Sequence, residues 1–283
     1  MTPKIIHLIV GPTASGKTDM SIDLAIKLGC PILSCDSRQI YKELKIGTAP
    51  PSDEQLRAVK HYFIHSHSIF DSYTAGRYEL EALALTERLF AHYDSLVMVG
   101  GSGLYADAFC YGIDDFPPPD KDIRERLNSR LNIEGVSSLR NELRLLDPES
   151  YKSIDISNPQ RIVRALEVTI SSGRAFSSYK SFGRKERYFK VEKTVVERDR
   201  DELYNRINAR VDKMMEDGLL EEARSLYKFR SLTALKTVGY RQLFDYFDGK
   251  CTLDEAVDLI KRDTRRYAKR QITWFKNRGC PIV

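Results

Sequence analysis

Gly11-Pro12-Thr13-Ala14-Ser15-Gly16-Lys17-Thr18 fits the phosphate-loop pattern G-x-x-x-x-G-K-[ST]. The pattern has meaning only between a strand and a helix, and both neighbours are suitable. Ile5-Ile6-His7-Leu8-Ile9-Val10 is a short apolar run of the kind that forms a buried strand. From Asp19 to Leu28 the apolar residues Met20, Ile22, Leu24, Ala25 and Leu28 recur at helical spacing, and Gly29 supplies a stop. In such a loop successive backbone N–H groups curl around an anion, and the helix N-terminus adds partial positive charge. Lys17 brings a full charge to the outer phosphate oxygens, and the Thr18 hydroxyl is suited to hold magnesium. A phosphorylated ligand is expected; the loop alone does not identify it.

The same alternation continues. Residues 31–36 read as a second strand ending in Asp36, residues 52–60 as a short helix, and 75–93 as an amphipathic helix. Leu96-Val97-Met98-Val99 is a third strand, running into Gly100-Gly101-Ser102-Gly103. Strands alternating with helices predict an α/β fold: a P-loop NTPase-like parallel sheet wrapped by helices. Ligands of such sheets sit beyond the carboxyl ends of the strands. The phosphate loop, Asp36 and Ser102 all fall at that edge.

At Pro117-Pro118-Pro119 the character changes, because three prolines make a stiff connection. Helical spacing of leucines and valines then runs from 121 to about 172. A basic stretch with Arg174, Lys180, Arg184, Lys185, Arg187 and Lys190 follows, and Val191 to Val196 reads as a strand returning to the sheet. The predicted organisation is a core of 1–112 and 191–283 with a smaller helical domain, 113–190, inserted. A long helical pattern from 201 to 227 is broken at Gly218. The last stretch is strongly basic: Lys261, Arg262, Arg265, Arg266, Lys269, Arg270, Lys276 and Arg278, with Tyr267, Trp274 and Phe275 between them.

The net charge of +5 suits a nucleic-acid partner without demanding one. No apolar run approaches a membrane span, so no membrane partner is expected. The first strand runs straight into the phosphate loop, so no signal peptide is expected. Five cysteines, at 30, 35, 110, 251 and 280, are an odd count without a C-x-x-C. They point to a reduced, cytoplasmic protein without a zinc site. His61, His65 and His67 give no coherent ligand face at their spacing.

The residues leave the chemistry open at one point. A strand-end acid in a P-loop protein commonly holds magnesium, and Asp36 is the acid in that place. It is equally suited to act as a general base beside the phosphates. On the residues alone, a P-loop kinase stays in contention.

Nine motifs in register narrow the choice. They are GPTASGKT at 11–18, SCDSRQIY at 34–41, KIGTAPP at 45–51, GGSGLY at 100–105, NPQRIVRALEV at 158–168, LYNRINARVDKM at 203–214, GLLEEARSLY at 218–227, KTVGYRQ at 236–242 and KRQITWF at 269–275. Together they resemble the tRNA dimethylallyltransferase (tRNA isopentenyltransferase) family from the first strand almost to the C-terminus. The resemblance implies transfer of a dimethylallyl group from its diphosphate to the exocyclic amine of the adenosine just 3′ of the anticodon, in tRNAs reading codons that begin with U.

The resemblance also implies roles for residues. Gly11 to Thr18 and Arg210 hold the donor diphosphate, Thr18 with Mg2+. Arg206, four residues before Arg210 and on the same helix face, is a possible helper. Asp36 takes the amine proton. Ser102, in place of the family threonine, keeps a hydroxyl that orients Asp36 or the amine. Contact with the anticodon stem-loop falls to Asp36, Ser37, Arg38, Gln39, Ser102, Arg124, Gln160, Arg161, Ile162, Val163, Arg164, Lys236, Thr237, Gly239, Tyr240, Arg241, Lys269, Arg270, Gln271, Trp274 and Lys276. A monomer is expected. The alternatives are an isopentenyltransferase acting on free adenine nucleotides, for which the insert and basic terminus have little use, and the kinase.

Overall fold

A computed structural model describes residues 3–180 and 185–276. Arg184, Arg278 and Cys280 lie outside them. By its contacts the chain divides into two compact units, one formed by 1–112 with 186–283 and the other by 113–185.

The first unit is built on a five-stranded sheet in the order β3-β2-β4-β1-β5, with every pairing parallel. The strands are β1 (Ile5–Val10), β2 (Ile32–Ser34), β3 (His61–Tyr62), β4 (Ser95–Gly100) and β5 (Lys190–Val195). Helices α1 (Lys17–Leu28), α2 (Asp53–Ala58), α3 (Ala75–Phe90) and α4 (Gly103–Tyr111) connect the first four strands or follow them. Ile6, Ile32, Leu33, Leu96, Val97 and Met98 have no exposed surface, as continuous apolar strands covered on both faces require. The two-residue strand β3 is absent from the sequence reading: His-Tyr has no periodicity, and its pairing with β2 alone makes it a strand.

Residues 186–189 belong with the sheet, not with the insert. Arg187 fixes them there, donating to the carbonyl oxygens of Phe109 (2.8 Å) and Ala108 (3.0 Å) and pairing with the buried Glu79 at 2.8 Å. Phe189 stacks on Phe109.

The second unit contains α5 (Lys121–Glu134), α6 (Val136–Leu146), α7 (Pro148–Ser153) and α8 (Pro159–Ser172). Leu127, Leu139, Leu143, Ile162, Val163, Ala165 and Leu166 form its core. Asn158 caps α8 by accepting from the backbone of Gln160 and Arg161. The buried Glu167 carboxylate pairs with Arg124 at 2.8 Å and Arg164 at 3.2 Å.

After β5 the chain forms α9 (Arg200–Glu216), α10 (Leu219–Leu226), α11 (Tyr240–Phe247) and α12 (Leu253–Lys276). Gly218, at φ 98°, takes the left-handed conformation that breaks the helical pattern between α9 and α10. These helices carry residues from distant sequence to the phosphate loop.

Candidate active site

The loop after β1 is held by arginines. Arg206 Nε donates to the carbonyl oxygen of Ala14 (2.9 Å), and Arg198 Nε to that of Ser15 (2.7 Å). Consecutive peptide planes are thereby fixed, although Ala14 sits at a positive φ of 64° that a residue with a Cβ rarely adopts. Arg210 Nη1 donates to the Thr13 hydroxyl at 3.2 Å. Arg206 and Arg210 thus both reach the loop from one face of α9. Arg198 has no counterpart in the sequence reading, because it precedes the helix and belongs to no motif there.

The electrostatics suit an anionic ligand. Burial lowers the Lys17 pKa to about 8; the Asp36 carboxylate opposes that shift and the Arg210 guanidinium adds to it. Arg210 is also lowered, by burial first and by Arg206 next. Clustered, desolvated cations of this kind are stabilised by a polyanion among them. The Ser15 hydroxyl is fully buried and finds no hydrogen-bond partner among the described residues, an unmet donor inside the loop.

Asp36 lies two residues beyond β2. Its Oδ1 accepts from the backbone N–H groups of Arg38 (2.8 Å) and Gln39 (3.2 Å), an Asx-type turn that fixes the carboxylate. The second oxygen receives no hydrogen bond among the described residues. Ser102 was expected to orient Asp36 or the amine. Its hydroxyl instead accepts from the Ser37 N–H (2.9 Å) and donates to the Ser37 hydroxyl (3.0 Å). Asp36 takes its orientation from its own turn, with Ser102 bracing the next residue. The Tyr267 phenol stands beside both; burial, then the Asp36 charge, push it up to about 12, against a hydrogen bond with Ser102. In the sequence it is one aromatic within a basic run, with nothing to separate it from its neighbours.

A cavity of about 520 Å³ joins these groups. Thr13, Ala14, Lys17, Thr18, Asp36, Arg206, Arg210 and Tyr267 line it, together with apolar Ile207, Val211, Met214 and Leu219. Among the described residues no group of three or more His, Cys, Asp or Glu side chains could hold a metal. His61, His65 and His67 are not gathered into such a group; His67 lies 3.3 Å from Glu81.

The basic helix α12 crosses the same edge. The Gln271 amide accepts from the Thr13 N–H (2.9 Å) and donates to the Gly101 carbonyl (2.8 Å). A Cβ on Gly101 would stand 2.3 Å from the Gln271 amide nitrogen, and one on Gly103 would stand 2.3 Å from the Trp274 ring. Gly101 and Gly103 lack a side chain where α12 lies against them, and Gly100 where Cys35 does. Trp274 Nε1 donates to Asp107 at 3.0 Å.

Besides Ser102, the structure turns four expected RNA-facing side chains inward. Ile162 and Val163 are in the insert core, Tyr240 is fully buried with its hydroxyl on Glu222 at 2.6 Å, and Gln271 is 5% exposed. Their neighbours Gln160, Arg161, Lys236, Arg241, Lys269, Arg270 and Lys276 are exposed. Thr237 and Gly239 line the cavity. Arg38 anchors its own loop by donating to the Thr233 and Ala234 carbonyl oxygens, both at 3.2 Å. Arg124, Gln160, Arg161 and Arg164 lie in the second unit.

Residues 39–278 match the IPP transferase family. The chain belongs to the IPP transferase family. Among similar members, tRNA dimethylallyltransferase 1 of Phocaeicola vulgatus is 47% identical over 274 residues, covering 97% of this chain and 91% of the relative. The tRNA dimethylallyltransferase of Flavobacterium johnsoniae is 49% identical over 279 residues, covering 96% and 90%. The crystal structure of the tRNA isopentenylpyrophosphate transferase of Bacillus halodurans superposes with a TM-score of 0.70 at 35% identity, covering 99% of this chain and 89% of that one. This IPP transferase shares its fold with a eukaryotic dimethylallyltransferase acting on tRNA, at a TM-score of 0.79 and 24% identity, covering 96% and 69% of the chains. No described helix is long and apolar enough to cross a membrane.

Proposed function

We propose that this chain is a tRNA dimethylallyltransferase, moving a dimethylallyl group from dimethylallyl diphosphate to the exocyclic amine of the adenosine 3′ of the anticodon, in tRNAs reading codons that begin with U. The observation that carries this reading is the shared cavity. A cationic phosphate loop and a carboxylate fixed on one oxygen line the same space, so a leaving diphosphate and a proton acceptor serve one reaction.

The amine nitrogen attacks C1 of the dimethylallyl group while the C1–O bond breaks, and the bonding electrons leave with diphosphate. Negative charge grows on that oxygen, where Lys17, Arg210 and the loop N–H groups stabilise it. The free oxygen of Asp36 takes the proton from the amine as the C–N bond forms. The apolar wall of Ile207, Val211, Met214 and Leu219 is suited to a hydrocarbon tail. The Thr18 hydroxyl lines the cavity and would hold Mg2+ together with diphosphate oxygens, a donor set that suits an ion bound mainly through substrate phosphates. Bound there, magnesium supplies further charge stabilisation to the leaving group.

The target adenine must leave its stack to reach Asp36. Exposed Lys269 and Arg270 on α12, and exposed Gln160 and Arg161 on the insert, hold the RNA backbone. The proposed reading places the enzyme in the cytoplasm as a monomer.

The test offers tRNA, AMP and a small-molecule hydroxyl acceptor separately, each with dimethylallyl diphosphate or ATP. Dimethylallyl transfer to tRNA without ATP is expected. Transfer to AMP in preference to tRNA, or phosphate transfer from ATP, would overturn the reading.

A further inference from the structure

The stretch 45–51 is a wall of the cavity, yet it carries no group with a role in the reaction: Gly47, Thr48, Ala49, Pro50 and Pro51 all line that space. Its conformation is held from outside. The Glu222 carboxylate, in the first turn of α10, accepts three consecutive backbone N–H groups: Lys45 and Ile46 on Oε2, at 2.8 and 2.9 Å, and Gly47 on Oε1, at 3.0 Å. Three successive N–H groups converging on one anion form a nest. Here the anion is internal. The Tyr240 hydroxyl, from the start of α11, adds a fourth donor at 2.6 Å, and its ring lies against Gly47, where a Cβ would come within 2.7 Å.

The wall is in turn tied to the reactive carboxylate's turn. Gln39, whose N–H group binds Asp36 Oδ1, donates its side-chain amide to the carbonyl oxygens of Thr48 (3.3 Å) and Ala49 (2.8 Å). Ala49 sits at φ 46°, a strained conformation that persists only where its surroundings enforce it. The chain of contacts is continuous: Glu222 fixes 45–47, that segment presents the carbonyls of 48 and 49, and those receive Gln39 beside Asp36. It never touches the phosphate loop.

We propose that Glu222 is a positioning residue, whose carboxylate holds the 45–51 wall and, through Gln39, the Asp36 turn in the geometry that accepts the target nucleoside. Its kinetic part rests on the function proposed above. Glu222→Gln is the informative change: the amide keeps the size but puts an N–H group where backbone N–H groups converge. Tyr240→Phe removes one donor and keeps the ring on Gly47.

Three quantities are measured on the full chain: amide hydrogen exchange at residues 45–47, kcat/KM for tRNA, and affinity for inorganic pyrophosphate. In Glu222→Gln the three amides should exchange at least about tenfold faster. The tRNA kcat/KM should fall roughly 10- to 100-fold, the cost of a displaced reacting group, with pyrophosphate affinity held within about twofold. Tyr240→Phe should move the same two quantities less. Unchanged exchange and tRNA kinetics in folded Glu222→Gln would overturn the inference, as would a loss of pyrophosphate affinity equal to the loss for tRNA. Should Glu222→Gln fail to fold, unchanged exchange and kinetics in Tyr240→Phe overturn it. A wild-type protein that modifies no tRNA would defeat the proposed function, while exchange at 45–47 would still report on the clasp.

Discussion

Lys17 folds back onto its own loop, its Nζ donating to the carbonyl oxygen of Pro12 at 2.5 Å. The side chain is half-buried, and the acceptor holding its ammonium is the loop that a diphosphate would enter. An incoming diphosphate replaces a single carbonyl with charged oxygens, so the lysine gains its strongest partner only when the donor is bound. Lys17→Ala should lower turnover by at least roughly 10³-fold, the upper range for removing one transition-state donor. Its tRNA affinity should stay within a few-fold in a filter-binding or fluorescence titration; a parallel loss would show that the two substrates do not use separate groups.

The depressed pKa of Lys17 sets a pH dependence. In the ligand-free protein the ammonium is half deprotonated at about pH 8, against about 10.4 in an unfolded chain. Donor kcat/KM should therefore decline above pH 8. Between 8 and 10.4 the unfolded chain binds the proton that the folded chain has released, so this group's contribution to folding stability rises with pH across that window. Saturating pyrophosphate keeps the amine charged and should abolish that rise. Urea titrations at pH 7.5 and 9.5, with and without pyrophosphate, measure the contrast.

Asp36→Asn should preserve the turn, because an amide oxygen still accepts from Arg38 and Gln39. It cannot take a proton. The expected loss is in kcat, by roughly 10²- to 10⁴-fold, with donor affinity nearly unchanged. Single-turnover rates across a magnesium titration provide the check; rescue by magnesium would make Asp36 a metal ligand instead.

Lys269 and Arg270 are exposed and form no ion pair among the described residues, whereas Lys261, Arg262, Arg266 and Lys276 pair with Asp212, Asp263, Asp263 and Glu197. Replacing both by alanine should weaken tRNA binding and make its log–log salt dependence shallower by about 1–2, through loss of released counterions. Equilibrium binding at several salt concentrations measures the slope, and an unchanged slope places these side chains off the RNA.

The phosphate loop, the parallel sheet and the place of Asp36 at its edge are legible because each depends on local spacing: apolar runs, a glycine loop and an acid after a strand. What escaped depends on contacts between distant segments. Arg198 acquires meaning only when it meets the Ser15 carbonyl. Tyr240 and Gln271 lie in basic stretches that read as RNA-facing, and only the helical phase of α11 and α12 turns them inward. Ile162 and Val163 show the same limit in α8: a motif marks a segment, while packing decides which face of it meets solvent. For Ser102 the family resemblance implies a hydroxyl that orients Asp36 or the amine; in the fold that hydroxyl meets the backbone and side chain of Ser37.

Gln271 joins the two substrate halves of the site in one side chain. Its amide binds the Thr13 N–H on the donor loop, and it sits on the helix whose next exposed residues before it are Lys269 and Arg270. A movement of α12 on taking up RNA would therefore be felt as a change in the donor loop, and a shift of that loop would be felt by α12. Any coupling carried this way is reciprocal: the factor by which tRNA changes diphosphate affinity equals the factor by which diphosphate changes tRNA affinity. One glutamine is thus the route by which occupation of either substrate's site would bear on the other.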